Sequence, residues 1–263
     1  MTDEDDSLRA KRVYADATGA TTAFVGTAAG VVRVSVSDDI VGEFSLEYAA
    51  EVTDLAVADG SLAVGTPDDV FVRSGETFEA TGFGPASAVG HDRSGRLIAA
   101  GAGRLARYET EWTTLAELDA VRAISSDMVA AASGIHRHDG THVGLDDARD
   151  VSTAGRPLAA TAAGLYYLAN GWMRALEGDV SVVASDGATR HAAAGATCYI
   201  GSDDGTWRET ELPVAEPIAD IAHGGGVYAV TTDGTVLANV GDGWRHRSLG
   251  VPDVTALAVE PPV

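Results

Sequence analysis

Histidines are the residues of this chain whose type and spacing first suggest chemistry. The segment HRHDGTH brings His136, His138 and His142 close together, and side chains at positions i and i+2 lie on the same face of a β-strand. Two imidazoles on one face can begin a zinc site, but zinc takes three or four protein ligands. Because the sequence offers no identifiable third ligand, we expect an outer hairpin with solvated histidines, no bound metal and no other cofactor.

Other catalytic patterns do not assemble in the sequence. The chain has no G-x-S-x-G elbow for a serine nucleophile and no G-x-x-x-x-G-K-[ST] loop for a phosphate. His91 and His223 lie near the ends of predicted innermost strands, where we expect structural, hydrogen-bonded roles. We expect the paired carboxylates to be solvated surface groups, at Asp38–Asp39, Asp68–Asp69, Asp146–Asp147 and Asp203–Asp204. No catalytic residue is therefore assigned.

Acidic side chains dominate the composition. Among 263 residues, 39 are Asp or Glu and 18 are Lys or Arg, for a formal net charge of −21, and Lys11 is the only lysine. Such a charge destabilises a compact state by self-repulsion, which molar salt screens by shortening the Debye length to about 3 Å. The composition predicts a halophilic protein; a moderately acidic protein from a GC-rich genome is the alternative. Nucleic acid and anionic membranes are not expected as partners, because the sequence has no basic patch.

The start of the chain, its hydropathy and its single cysteine indicate the cellular compartment. No apolar run is long enough for a transmembrane helix, and the start MTDEDDSLRAKR is acidic where a signal peptide is basic. Cys198 lies in the strand-like segment TCYIG, which predicts a small buried side chain and no internal disulfide. We expect a cytoplasmic protein.

A sequence motif, in which a short strand, a small polar turn and a second strand follow one another, recurs along the chain; we call it the phrase. Its seven copies have the turn residues Gly30, Asp69, Gly103, Gly134, Gly164, Gly205 and Gly234. Each copy follows another short strand, and most precede a fourth strand with an aromatic residue, such as EWTTLAE or GWRHRSLG. Four short strands in a unit of about 40 residues are typical of a β-propeller blade. The sequence thus predicts an all-β, seven-bladed β-propeller with four-stranded antiparallel blades.

The C-terminal strand is predicted to close the ring of blades. VTALAV (254–259) has the character of an innermost strand, and the first copy of the phrase lacks a clear one of its own. Blade six is irregular because PVAEP replaces its outer strand and proline cannot donate to a ladder. Six blades are therefore the alternative, and the boundaries between residues 188 and 217 stay open. We expect an acidic disordered tail at 1–10 and one propeller domain at 11–263.

Five stretches that together cover nearly the whole chain carry a resemblance. They are KRVYADATGATTAFVGTAAGVVRVSVSDDIVGEF (11–44), TGFGPASAVGHD (81–92), EWTTLAELDAVRAI (111–124), GLYYLANGWMRAL (164–176) and GDGWRHRSLGVPDVTALAV (241–259). In them the chain resembles an uncharacterised β-propeller family of halophilic archaea. The resemblance implies a cytoplasmic seven-bladed propeller and brings no established activity or site residue. SDDGTW (202–207) and TTDGTV (231–236) are also distantly similar to the Asp-box, a turn device of sialidase-type propellers.

One set of polar residues recurs in the predicted innermost strands. Counted back five positions from the Asp, Gly or Glu that closes each strand, every blade has a polar residue, followed by an apolar one. The seven are Asp54, Ser87, Arg122, Asp150, Ser181, Asp220 and Thr255. Because side chains alternate across a strand, we expect these candidate binding residues to ring one mouth of the central channel. The alternative is that they only bind the backbone of neighbouring blades or line a wet channel.

The turns between second and third strands should lie on the same face of the disc as this ring. They would place five carboxylates around it, those of Asp68, Asp69, Asp203, Asp204 and Asp233.

The sequence favours a non-catalytic scaffold that binds a protein partner through one face of the disc. A rigid disc with variable loops suits that role, and no catalytic set is assembled. The alternative is a hydrolase, of the glycoside hydrolase or lactonase type, that uses carboxylates at the channel mouth. A metal or a raised carboxylate pKa at the ring would favour the enzyme. Propellers host both roles, so the fold by itself does not decide between them, and the sequence does not specify the oligomeric state.

Overall fold

Strands make up all the regular structure of the described residues. The computed structural model describes residues 20–37, 40–202 and 205–260, and in these ranges it contains 28 β-strands and no helix. The strands form seven four-stranded antiparallel sheets, and the innermost strand of each sheet contacts that of the next in a closed cycle. The predicted seven-bladed propeller is therefore confirmed, and the six-blade alternative is wrong. No helix in the described part of the chain could span a membrane.

The strands follow one another along the chain from the inner to the outer edge of each blade. Blade 1 has β1 (Ala20–Thr27), β2 (Gly30–Ser37) and β3 (Ile40–Tyr48), and blade 2 has β4 (Asp54–Ala58), β5 (Ser61–Gly65), β6 (Val70–Ser74) and β7 (Thr77–Ala80). Blade 3 has β8 (Ala88–His91), β9 (Leu97–Gly101), β10 (Arg104–Tyr108) and β11 (Trp112–Glu117). Blade 4 has β12 (Val121–Ser125), β13 (Met128–Ala131), β14 (Gly134–Arg137) and β15 (His142–Gly144).

The last three blades repeat the pattern. Blade 5 has β16 (Ala148–Ser152), β17 (Leu158–Thr161), β18 (Gly164–Leu168) and β19 (Trp172–Glu177). Blade 6 has β20 (Val182–Ser185), β21 (Arg190–Ala194), β22 (Thr197–Gly201) and β23 (Trp207–Thr210). Blade 7 has β24 (Ile218–His223), β25 (Val227–Thr231), β26 (Thr235–Asn239) and β27 (Arg245–Ser248), and β28 (Val254–Val259) follows.

The strand β28 is the innermost strand of blade 1, as the sequence predicted. It pairs antiparallel with β1, from Ala23 opposite Val259 to Thr27 opposite Val254. Leu257 is buried between blades 1 and 7. The closure joins the two ends of the propeller and gives blade 1 its fourth strand, so that β1 is not left as an exposed edge.

Each blade buries both of its faces against its neighbours. In β13, Val129 packs with Ile98 and Leu105 of blade 3, whereas Ala130 packs with Val151 and Ala159 of blade 5. Successive side chains of a strand point to opposite faces, so a second strand that is covered on both faces needs an unbroken apolar run. This requirement explains the Val- and Ala-rich segments SLAVG, LIAAG, MVAA and LAAT.

Tryptophans at the starts of outer strands connect neighbouring blades. The indole N–H of Trp112 donates to the carbonyl oxygen of Thr81 at 3.2 Å, and that of Trp172 donates to the carbonyl oxygen of Val143 at 3.2 Å. Trp244 lies directly before β27 and packs in the core between blades 6 and 7. Outer strands are thus held by specific bonds in addition to core packing.

Blade 6 is regular, which corrects the prediction from the sequence. Its outer strand is β23, with the sequence WRET, and PVAEP belongs to the connection to blade 7. The turn with Gly205 therefore joins the third and fourth strands, and the turn between the second and third strands lies at Gly195. Asp203 and Asp204 themselves lie outside the described residues, and so do the pair at 38–39 and the predicted tail at 1–10.

The disc has two distinct faces. One face carries the first residues of the innermost strands and the turns between second and third strands. In blade 2, for example, Asp54 at the start of β4 pairs with Gly65 at the end of β5. The connections between blades also lie on this face, since they form hydrogen bonds with these turns. We call this the ring face. The turns between first and second strands, and between third and fourth strands, lie on the opposite face, which includes the turn at Gly205.

Candidate functional site

Three aspartates of the predicted ring each join the innermost strands of two adjacent blades. Asp54 Oδ1 accepts the N–H of Leu55 in its own strand at 2.8 Å, and Oδ2 accepts the N–H of Val89 in blade 3 at 2.8 Å. These N–H groups lie on the inner edges of their sheets, where no further strand can pair with them. The carboxylate therefore satisfies one edge donor from each of two blades.

Asp150 and Asp220 repeat this arrangement. The oxygens of Asp150 accept the N–H groups of Val151 at 2.7 Å and Val183 at 2.8 Å, which joins blades 5 and 6. The oxygens of Asp220 accept the N–H groups of Ile221 and Leu257, both at 2.7 Å, which joins blade 7 to the closing strand β28. We call Asp54, Asp150 and Asp220 the interblade carboxylates.

The other four predicted ring residues also bond to backbone. Ser87 Oγ donates to the Val121 carbonyl of blade 4 at 2.9 Å, and the Arg122 guanidinium donates to the Ala148 carbonyl of blade 5 at 3.1 Å. Thr255 Oγ1 donates to the Val52 carbonyl at 2.9 Å, at the start of blade 2. Ser181 Oγ donates to the Ala193 carbonyl within its own blade at 3.3 Å. All seven residues lie at one mouth of the channel, and six of them reach an adjacent blade.

The seven predicted ring residues are not all at structurally equivalent positions: three lie at one position of the innermost strand, and the other four lie one residue before it. Asp54, Asp150 and Asp220 lie opposite Gly65, Ala160 and Val230 in the second strands. In the other four blades the equivalent residues are Ala88, Ala123, Val182 and Ala256, each one position after a predicted ring residue. The offset arises at the other end of the strand, because the hairpin between the first and second strands differs between blades: Ala58 pairs with Ser61, whereas His91 pairs with Leu97. A count back from the residue that closes each strand does not detect such differences.

Burial makes the interblade carboxylates weaker acids than an ordinary aspartate. Loss of hydration raises the pKa of Asp54 to about 7 and that of Asp150 to about 6, against the lowering effect of the N–H bonds. Burial, together with the charge of Asp150, raises the pKa of Asp220 well above its usual range. The three groups therefore share one region of low hydration and repel one another as they ionise.

A cavity occupies the central channel beside these groups. Its volume is about 360 Å³, and Asp54, His91, Ile124, Asp150 and Leu257 are among the residues that line it. The lining comes from the innermost strands of blades 1 to 5. No group of three or more His, Cys, Asp or Glu within residues 20–37, 40–202 and 205–260 could hold a metal ion. This part of the channel is thus lined largely by backbone and apolar side chains.

Asp69 has a structural role that the sequence reading missed. Its carboxylate accepts the N–H groups of Val70, Gly82, Phe83 and Gly84 at 2.7 to 3.1 Å. It therefore fixes the connection between blades 2 and 3 and is not the solvated surface group that was expected. Its neighbour Asp68 is exposed, as expected.

Two histidines form a buried pair on the opposite face, between blades 6 and 7. His223 Nε2 lies 3.3 Å from His191 Nδ1, and His223 Nδ1 lies 3.5 Å from a carboxylate oxygen of Asp186. Burial lowers the pKa of His223, and burial with the adjacent His223 lowers that of His191 to about 4. Both imidazoles are therefore held neutral near pH 7. The expected structural role of His223 agrees with this packing.

The histidines of HRHDGTH do not form the solvated hairpin that the sequence predicted. His136 lies in β14, the third strand of blade 4, and is only 7% exposed, while His138 is half-buried and His142 is exposed. His136 Nε2 lies 2.8 Å from Ser133 Oγ, and its Nδ1 lies 3.2 Å from the Gly140 carbonyl. A serine–histidine pair is thus present that the search of the sequence for catalytic sets missed.

The comparison with protein families agrees with this architecture. The model of a family described as HVO_0234-like beta propeller matches residues 7–260. The chain belongs to this family. Among proteins with curated descriptions, none matches the chain in sequence.

Solved structures share the fold at low sequence identity. The WD40 β-propeller domain of Doa1 has a TM-score of 0.59 and 14% identity over 89% of this chain and 88% of its own. The computationally designed Ika8 protein has a TM-score of 0.61 and 15% identity over 89% of this chain and 86% of its own. A chain of the mitotic checkpoint complex has a TM-score of 0.66 and 12% identity over 79% of this chain and 82% of its own. These likenesses extend to the fold only.

Proposed function

We propose that this family member is a scaffold that binds a protein partner through its ring face. The observation that carries the proposal is the bonding of the interblade carboxylates. Both oxygens of Asp54, Asp150 and Asp220 accept backbone N–H groups, so the most conspicuous polar groups of the channel mouth hold the blades in position. Recognition then falls to the turns and connections that surround the mouth.

Charge on the ring face indicates the chemistry of the partner. Exposed carboxylates on this face include those of Glu51, Asp68, Asp119, Asp146, Asp233 and Asp253. Its basic side chains Arg122 and Arg149 form ion pairs with Asp147 and Asp179. A protein surface rich in arginine or lysine complements such a face. In keeping with the composition, we place the interaction in a cytoplasm with molar salt, where short-range contacts add to the screened attraction.

Similar folds give the proposal limited support. The Doa1 domain is a WD40 propeller, and another neighbour is part of the mitotic checkpoint complex, a protein assembly. The second case places a disc of similar fold in a complex of several proteins. The argument for this chain rests on its own ring face.

Affinity capture from native lysate at molar KCl tests the proposal. The ring-face variant Asp68→Asn/Asp146→Asn/Asp233→Asn removes three exposed carboxylates. The control variant Glu76→Gln/Glu111→Gln/Asp242→Asn makes the same charge change in exposed turns of the opposite face. We expect wild type and the control to retain one protein that the ring-face variant loses. Equal capture by all three proteins, or capture by none, would contradict the assignment.

A second candidate function is a hydrolase that uses a channel carboxyl group. Its support is the raised pKa of Asp54, about 7, beside a cavity of about 360 Å³. A carboxyl group with such a pKa can act as a general acid near neutral pH. Turnover of glycoside or lactone substrates by wild type, and its loss in Asp54→Asn with the fold intact, would establish this function. The absence of turnover would leave the scaffold as the assignment.

A further inference from the structure

The turn between β13 and β14 of blade 4 carries a hydroxyl group bonded to a buried imidazole. The Gly140 carbonyl can only accept a hydrogen bond, so the neutral His136 ring has its proton on Nδ1, which lies 3.2 Å from that oxygen. Nε2 is then an acceptor, and Ser133 Oγ–H donates to it at 2.8 Å. Ser133 is exposed, whereas His136 is 7% exposed. A nucleophile, a base and a group that orients the base are thus in line.

Blade 4 also differs from three other blades in the residue that begins this turn. In blades 1, 2 and 5 the position holds Thr27, Thr66 or Thr161, whose hydroxyl accepts the N–H groups two and three residues ahead. In blade 4 it holds Ala131, which has no acceptor. In the described structure the Ser133 N–H forms no hydrogen bond. That donor lies on the same residue as the hydroxyl and can stabilise a developing oxyanion.

The turn is held in one conformation by its surroundings. Asp147 N–H donates to the Ala132 carbonyl at 3.1 Å. Gly134 has a positive φ of 114°, and a Cβ atom there would lie 2.1 Å from the Leu145 carbonyl oxygen. The His142 ring, with its centroid 5.0 Å from that of His136, packs against the imidazole. The Ser133 hydroxyl is therefore presented on the ring face by a turn with little freedom to rearrange.

We propose that Ser133 and His136 form an acyl-transfer site for small activated esters. Ser133 Oγ forms a bond to the acyl carbon as its proton passes to His136 Nε2. The bond between the acyl carbon and the alcohol oxygen breaks, and His136 returns the proton to the leaving alcohol. Water then attacks the acyl-serine by the same proton route, so that ester and water give acid and alcohol with Ser133 restored. Because Ser133 is exposed on a turn, a small activated ester can reach the hydroxyl without any rearrangement of the blade.

The experiment uses p-nitrophenyl acetate as the probe, with the full chain in molar KCl at pH 8. The readouts are release of p-nitrophenol and the site of acetylation, found by mass spectrometry of peptides from the acid-quenched reaction. We expect acetyl-Ser133 in wild type and at least about 100-fold slower formation in His136→Gln, because general-base catalysis contributes about that much. Ala131→Thr, which gives the Ser133 N–H an acceptor, is expected to slow acetylation about 10-fold or more.

Blade 5 supplies a matched control. Ala163 occupies the position equivalent to Ser133, and Tyr166 stands where blade 4 has His136. Ala163→Ser therefore creates an exposed turn serine without an imidazole, in a protein that keeps the wild-type blade 4. We expect Ser133, and not the introduced serine, to be acetylated. Equal acetylation at both positions, or no acetyl-Ser133 above the background of other exposed serines, would overturn the proposal. Circular dichroism of each variant separates loss of chemistry from loss of fold.

Discussion

Replacement of Asp54 by asparagine tests whether loss of hydration outweighs the backbone hydrogen bonds in setting the pKa of this carboxyl group. The wild-type carboxyl group has an ordinary pKa of 3.8 when unfolded and about 7 in the propeller, because burial disfavours its charge. Between these values the folded protein binds a proton that the unfolded chain releases, so the free energy of unfolding falls as pH rises through this range. The stabilising contribution is fully present below pH 3.8 and is lost above about pH 7.

The size of the effect follows from the shift. About three pKa units correspond to roughly 4 kcal/mol, and partial contact of Asp54 with channel water reduces this to about 2–4 kcal/mol. The asparagine side chain of the variant does not titrate, so wild type should lose about 2–4 kcal/mol relative to Asp54→Asn between pH 4 and pH 8. Removal of the Asp54 charge also relieves Asp220, whose pKa it helps to raise, and this acts in the same direction.

Urea unfolding at fixed molar KCl, followed by circular dichroism from pH 4 to pH 8, measures the difference. Asp68→Asn, at an exposed position of the same face, is the matched control and should run parallel to wild type. Parallel curves for wild type and Asp54→Asn would refute a raised pKa. A difference of opposite sign would show that the N–H bonds of Leu55 and Val89 outweigh the loss of hydration.

Three further outcomes are expected. Deletion of residues 253–263 should prevent stable folding, and Leu257→Ala, which empties a buried site in β28, should lower the free energy of unfolding by about 2–5 kcal/mol; an unchanged melting curve for the truncated chain would contradict the closure. His191→Phe removes a group whose pKa is lowered from 6.5 to about 4, so wild type should lose about 3 kcal/mol relative to this variant as pH falls from 6.5 to 4, measured by urea unfolding; a constant difference would argue against a neutral buried pair. Lowering KCl from molar to about 0.1 M should unfold the protein, because the charge of −21 is then screened much less. A circular dichroism spectrum that is the same at both salt concentrations would contradict the halophilic interpretation.

The architecture could be predicted because its signals are local. Alternation, turn residues and the repeat of the phrase define strands, and the surplus strand VTALAV identified the closure that β28 makes with β1. The prediction for blade 6 was wrong because SDDGTW has the chemistry of any tight hairpin turn. Such a turn can join the third strand to the fourth as well as the second to the third. Only the pairing of β22 with β23 shows that it joins the third and fourth strands here.

The candidate site was predicted less completely, for two physical reasons. The hairpins between first and second strands differ in length between blades, so a count of residues could not show that Asp54 aligns with Ala88 rather than with Ser87. The Ser133–His136 pair had little signal in the sequence, since Ala131, like Gly101 and Ala194, lacks the hydroxyl that Thr27 and Thr161 have at the start of the turn. The proposed role of the Ser133–His136 pair depends on the burial of the imidazole, and the spacing of residues along a strand does not show that burial.

The sequence by itself determined the number of blades, the strands within most of them, the closing strand and the acidic character of the surface, because each depends on residue type and short-range order. Only the tertiary structure decided what the polar groups at the channel mouth do. The second oxygen of each interblade carboxylate meets an N–H group 33 to 37 residues away, on the inner edge of another blade. The N–H group of the adjacent blade lies beside each carboxylate only once the sheets have closed into a ring, so the role of Asp54, Asp150 and Asp220 is a property of the assembled propeller.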